Sequence, residues 1–143
     1  MSTSTAKPEV KLPIPNGDFY QVTETLKDSE RAILQRVRTF METKVAPVIN
    51  QHWLQDSFPF DLLPDIRDLQ VSGAGYQGYG CAGGSTLLAG FIAMEFARVD
   101  CSFATFFGVH SGLAMGSILI KAAVFPEAKP VVLRRPYCVV PAT

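Results

Sequence analysis

Between Cys101 and Ile120 the chain runs for twenty residues, CSFATFFGVHSGLAMGSILI, without a formal charge. Any fold has to dispose of that stretch first. Only Cys101 and His110 within it can titrate near neutral pH. Read at helical spacing, its apolar side chains cover nearly the whole circumference. A helix apolar all round is either central to a soluble bundle or sits in a bilayer. The length meets the criterion for a span. Against a span, five of the residues are Ser, Thr or His and three are Gly. The preceding apolar run is broken by Glu95 and Arg98, and no basic cluster flanks either side. The expectation is a buried helix in a soluble bundle, with a membrane hairpin as the alternative. Gly108, Gly112 and Gly116 recur every fourth residue, which predicts close approach of a neighbouring backbone.

A chain of 143 residues, 48% apolar and 18% charged, suits one domain with its own hydrophobic core. Thirteen basic residues balance thirteen acidic ones, and no basic patch is evident, so nucleic acid is excluded as a partner. Cys81, Cys101 and Cys138 are widely spaced, with no CxxC or Cys/His pairing; neither a disulfide framework nor a metal site follows. The N-terminal segment MSTSTAKPEVKLPIPNGDF has no apolar h-region. Reduced cysteines and a cytoplasmic location are the expectation.

Residues 1–24, rich in Ser, Thr and Pro, read as a flexible arm. Helical periodicity starts near Thr25, with Thr25 or Asp28 as the expected cap. Ile33, Val37, Phe40, Met41, Val45, Val48 and Ile49 then form one apolar stripe, with Arg31, Arg36, Arg38, Glu42 and Lys44 on the other face. Pro47 removes a backbone donor and predicts a kink or interruption. Leu62, Leu63, Ile66 and Leu69 suggest a short helix that tolerates Pro64 in its first turn.

Gly73, Gly75 and Gly78 spell GxGxxG, but no strand precedes them and the next helix opens only near Ser85. The pattern reads as a loop whose glycines permit tight turns rather than a dinucleotide site. From Ser85, Leu88, Ile92, Phe96 and Val99 share a helical stripe. Glu95 is read as a surface carboxylate within weak reach of Arg98 at i,i+3. Asp100 stands where an N-cap belongs for the next helix. Pro126, Pro130, Pro136 and Pro141 forbid a regular helix past Phe125, and 121–143 reads as an irregular tail.

The phrase EFARVDCSFATFFGVHSGLAM resembles the helix pair near the middle of the N-terminal domain of acyl-CoA dehydrogenases. Plant-type short-chain acyl-CoA oxidases and glutaryl-CoA dehydrogenases are most similar in look. RVRTFMETKVAPVINQHW, FPFDLLPDIRDLQVSG and the GYGCAGGS loop match in family order, over about residues 26–118. The resemblance implies an all-α bundle of four to five helices over residues 25–120. It further implies acyl-CoA as substrate, FAD as cofactor and a homo-oligomeric parent enzyme in which a carboxylate base abstracts the α-proton and hydride passes to FAD. In the family the base and most flavin contacts lie outside the matched region. No residue here is therefore assigned as catalytic, Glu95 and Asp100 included, and the domain is expected to be inactive and to hold no stable FAD by itself. It contributes one wall of the acyl pocket, for which Phe106, Val109 and Leu113 are the candidates, sharing a face at i, i+3 and i+7. Ala104 and Gly108 stand where glutaryl-specific relatives carry an arginine and a serine, which implies an uncharged acyl chain, short or medium in length. After GSI the chain departs from the family's continuation, implying a truncated product whose tail arose by a frameshift, an alternative exon or an error in gene annotation. A helical interaction module, pairing through exposed apolar faces, is the alternative of a different class.

Overall fold

The computed structural model describes residues 18–77, 81 and 83–124, and every regular element among them is helical. The first 17 residues of the expected arm, and the expected tail beyond residue 124, lie outside the described residues. Asp18 organises the entry to the domain. Its two carboxylate oxygens accept from the backbone N–H of Val22 and of Thr23, each at 2.8 Å, and close a short 3₁₀ turn over Val22–Thr25.

Helix α1, Asp28–Phe40, passes through a π turn, Met41–Val45, into α2, Ala46–Leu54. Pro47 lies in the first turn of α2. Within an uninterrupted α-helix its ring would press on the carbonyl four residues back; the π turn directly upstream widens the spacing there. The proline is thus taken up by a change of hydrogen-bond register. Neither Thr25 nor Asp28 caps α1. Thr25 donates its hydroxyl to the Val22 carbonyl, and the Glu30 carboxylate takes the capping role by accepting from Lys27 N–H at 3.3 Å. Its other oxygen accepts from Ser85 N–H at 2.9 Å, so Glu30 ties the start of α1 to the start of α4. These bonds, the Ser85 amide first, hold its carboxyl below the usual carboxylate range.

A 3₁₀ turn, Phe60–Leu62, leads into α3, Leu63–Leu69, with Pro64 in its first turn as expected. Helix α4, Thr86–Val99, is capped by Ser85, whose hydroxyl oxygen accepts from Leu88 N–H at 3.0 Å. Helix α5, Cys101–Gly108, continues through a second π turn, Val109–Ala114, into α6, Met115–Val124. Helix α4 packs against both α1 and α5. Val37, Met41 and Val45 from the first rod meet Leu88, Ile92 and Phe96 from α4 and Phe103 from α5, all at 1% exposure or less. The two stripes read from the sequence are the two halves of this core, although Ile33, Val48 and Val99 are half-buried at its margin.

Glu95 is not at the surface. It is 5% exposed, and Arg38 from α1 reaches it through Nε at 3.1 Å and through the adjoining Nη2. Arg98 meets its second oxygen at 2.9 Å and continues to Glu42 at 2.7 Å. Arg38 and Glu42, assigned to the polar face by pattern, are therefore half-buried partners in a four-member charge network. Burial alone pushes the Glu95 carboxyl up, but its hydrogen bonds and charge attraction to Arg38 and Arg98 outweigh that and leave it below the ordinary value of 4.5. Removing one member of such a buried set leaves its partners uncompensated, at a cost of about 3 kcal/mol or more. A lowered carboxyl pKa means the stabilisation is complete above the unfolded value and fades as pH falls through the folded one. Urea unfolding of wild type and Glu95→Gln should accordingly differ by a constant margin from pH 7 down to about 5, and the margin should narrow on further acidification.

Candidate acyl-pocket wall

The site is built outward from Asp100. Its backbone is extended, with φ −156° and ψ 127°, so the chain reverses sharply between α4 and α5. One carboxylate oxygen accepts from Phe103 N–H at 2.6 Å, as an N-cap should; the other accepts from Trp53 Nε1 at 2.7 Å. A single buried side chain thus caps α5 and fastens it to the end of α2. Aromatic packing completes the placement. Phe96 stacks on Phe107 with ring centroids 4.4 Å apart, while Phe58, from the loop before α3, lies 5.6 Å from Phe103 and 4.8 Å from Phe106.

The rod from α5 to α6 is anchored on one side only. Phe103, Phe107 and Met115 enter the protein interior, and they are the only buried residues of the apolar stretch Cys101–Ile120. The expectation of a helix buried all round is corrected here: α4 and the glycine loop hold the inward side, and most of the remaining surface of the rod is accessible. Gly108 and Gly112 likewise have open space where a Cβ would stand. The expected approach of a neighbouring backbone is not found at these glycines; at Gly116 it is a side chain that comes close, and a Cβ there would lie 2.8 Å from the Tyr76 hydroxyl.

All three wall candidates stand on the accessible side: Phe106 is 38% exposed, Val109 50% and Leu113 67%. Phe106 also lines a cavity of about 140 Å³ between α3 and α5, together with Leu63, Ile66, Arg67, Phe107 and His110. Val109 and Leu113 do not line that cavity. They lie in the π turn, where the wider winding rotates each successive side chain less than an α-helix does, so the three do not superpose along the helix as α periodicity implies. Ile120 extends the apolar line toward the end of α6 at 68% exposure.

Among the described residues every buried side-chain nitrogen or oxygen has a hydrogen-bond partner. In the glycine loop, Gly73 N–H is already donated to Ser111 Oγ at 2.8 Å, so the part of the loop described here presents no free cradle of amides at that position. The cavity between α3 and α5, about 140 Å³, is by itself small against a flavin dinucleotide. The Gly78 position of GxGxxG lies outside the described residues.

Comparison with known proteins agrees with this geometry. The model of the acyl-CoA dehydrogenase N-terminal domain matches residues 27–124, and the chain belongs to that family through this domain. The solved glutaryl-CoA dehydrogenase of Mycobacterium smegmatis, a complex with FADH2, superposes with a TM-score of 0.68 at 29% identity, over 80% of this chain. The chain spans about 30% of that enzyme's length.

Sequence reasoning missed the contribution of Trp53, whose spacing to Asp100 is 47 residues, and that of Phe58. The single-tryptophan composition makes the first contact measurable. Asp100→Ala should lower stability by roughly 1–2 kcal/mol through loss of the cap and should change the Trp53 emission maximum of the folded protein; an unchanged spectrum would count against the Trp53–Asp100 bond.

Proposed function

We propose that this domain forms one wall of the acyl pocket of an FAD-dependent acyl-CoA dehydrogenase or oxidase, an enzyme acting on the CH–CH group of acyl-CoA thioesters by α,β-dehydrogenation. The observation that carries the reading is the exposure of the apolar side chains Phe106, Val109 and Leu113 on a rod seated in the core through Phe103 and Phe107. An aliphatic chain laid on such a surface is removed from water at about 25 cal/mol per Å² of apolar area. Membership of the family supplies the chemistry to which that burial would contribute.

The domain supplies binding surface rather than a reacting group. The three buried carboxylates among the described residues are committed, Glu30 to the Ser85 and Lys27 amides, Glu95 to two guanidinium groups and Asp100 to Phe103 and Trp53. None is available to take a proton from a substrate, so in this reading the base comes from elsewhere in the enzyme and the domain alone is inactive. Ala104 is half-buried and Gly108 faces open space; neither offers a cation or hydroxyl to a second carboxylate, which favours an uncharged acyl chain. The bulk of Phe106 and Phe107 favours short or medium length. The complete enzyme is read as a soluble, cytoplasmic homo-oligomer with neither nucleic acid nor membrane as partner.

The same exposed face supports a second reading, a helical module that pairs with another protein chain; a monodisperse monomer in solution would argue against it. Cys101–Ile120 also has the length and a mean hydropathy of 1.6 suited to a membrane span, and carbonate-resistant membrane association would promote that alternative. For the leading proposal, the purified chain should give a helical circular dichroism spectrum, no flavin absorbance and no dehydrogenation of butyryl-CoA with an artificial electron acceptor. A stoichiometric yellow flavin would overturn the inactivity of the isolated domain.

A further inference from the structure

The second π turn, Val109–Ala114, contains no proline, and none follows it before Pro126, so its wide register needs another cause. Four features of one loop, residues 71–77, converge on it. Gly73 N–H donates to Ser111 Oγ at 2.8 Å. The Tyr76 hydroxyl donates to the Gly112 carbonyl at 3.1 Å. Gly73, at φ +72°, brings its backbone so close that a Cβ would lie 2.7 Å from the Met115 methyl carbon. Gly116 leaves room for the Tyr76 hydroxyl where any side chain would collide. The loop is itself braced by Ala74 N–H to the Val71 carbonyl at 3.2 Å and Tyr76 N–H to the Gly73 carbonyl at 2.9 Å, and Val71 is 1% exposed.

We propose that Tyr76 and Ser111 are positioning residues that hold this π turn and thereby set the direction in which Val109 and Leu113 face. A π turn releases helical carbonyls from their usual partners and is retained where something outside the helix meets them. Tyr76 gives the Gly112 carbonyl a second donor beside the Met115 N–H, and Ser111 turns its hydroxyl oxygen to the Gly73 amide of the loop. In regular α winding, residues 111–116 would rotate relative to the loop, separating both hydrogen bonds at once and carrying Met115 away from Gly73. The two residues touch neither Val109 nor Leu113 in this role; they act through the register of the backbone. The assignment of that face to an acyl chain rests on the function proposed above, whereas the clamp rests on the hydrogen bonds alone.

The test uses the full 143-residue chain and the variants Tyr76→Phe, Ser111→Ala, their combination and Ser111→Thr. Amide exchange of residues 112–116 should accelerate about fivefold in each single variant that loses its hydrogen bond, with exchange in α1 and α4 unchanged. Relaxation of methyl signals by a soluble gadolinium chelate should rise at least about twofold at Met115 in the double variant, while Leu88 and Ile92 stay as in wild type. Ser111→Thr, which keeps the hydroxyl, should restore the wild-type pattern. Wild-type exchange at 112–116 in the double variant would overturn the proposal, as would an equal acceleration throughout α1 and α4. Butyryl-CoA added to the same samples separates the two layers. Shifts at the Val109 and Leu113 methyls in wild type that weaken in the double variant support positioning of an acyl wall. No response in wild type, with the exchange effect present, overturns the acyl reading of the face and leaves the clamp standing.

Discussion

A carboxylate withdrawn from water between two helices has to be matched, and the matching of Glu95 governs much of what surrounds it. Arg38 reaches it from α1 and Arg98 from one turn further along α4, so the ion pairs specify the relative rotation and height of the two helices that build the core. Hydrophobic stripes alone specify which faces meet and leave sliding comparatively cheap; discrete charge partners penalise it. With α4 held at that height, Phe96 is presented to Phe103 and Phe107, and the chain leaves α4 at Asp100 within reach of Trp53. Glu30 repeats the device at the opposite end of α4 by receiving the Ser85 amide. Both ends of the central helix are thus fastened to the first rod by acidic side chains of which neither is solvated.

That fastening accounts for the division of labour along the last rod. Its inward residues, Phe103, Phe107 and Met115, are held by α4 and the glycine loop, while Phe106, Val109, Leu113 and Ile120 remain outward. An isolated surface helix would not ordinarily carry so much exposed apolar area on one side. The match of residues 27–124 to the acyl-CoA dehydrogenase N-terminal domain gives the context in which such a surface has a purpose, and the 30% coverage of the glutaryl-CoA dehydrogenase chain shows how much of the solved relative lies beyond the matched region.

Much of this was legible from local pattern. The stripe through Val37, Met41 and Val45, the cap at Asp100 and the placement of Pro64 follow from side-chain chemistry acting within one turn of helix. What escaped depends on partners remote in sequence. Glu95 read as exposed because only Arg98 lies nearby along the helix; Arg38 is 57 residues away. Uncharged composition between Cys101 and Ile120 shows that water is a poor environment for that stretch, and it does not say whether the covering surface belongs to the described residues. The candidate wall at Phe106, Val109 and Leu113 was drawn on α periodicity, which has no means of registering a π turn. Pro47 marked the interruption at the first π turn, whereas the second has no local signature, because its outside contacts come from Gly73 and Tyr76, more than thirty residues away.

A π turn is also the footprint of one additional residue lodged in a helix without lengthening the contacts on either side. Between Phe107 and Met115, both buried, the rod is one residue longer than uniform α winding would need to bridge the same two anchors. Relatives in which this segment is shorter by one residue can therefore keep both anchors in place and differ only in the phase of the side chains between them. Chain length, rather than residue identity, then becomes a way to alter which side chains this rod exposes, and an alignment that forces the helices into equal length at this point would pair side chains that face in different directions.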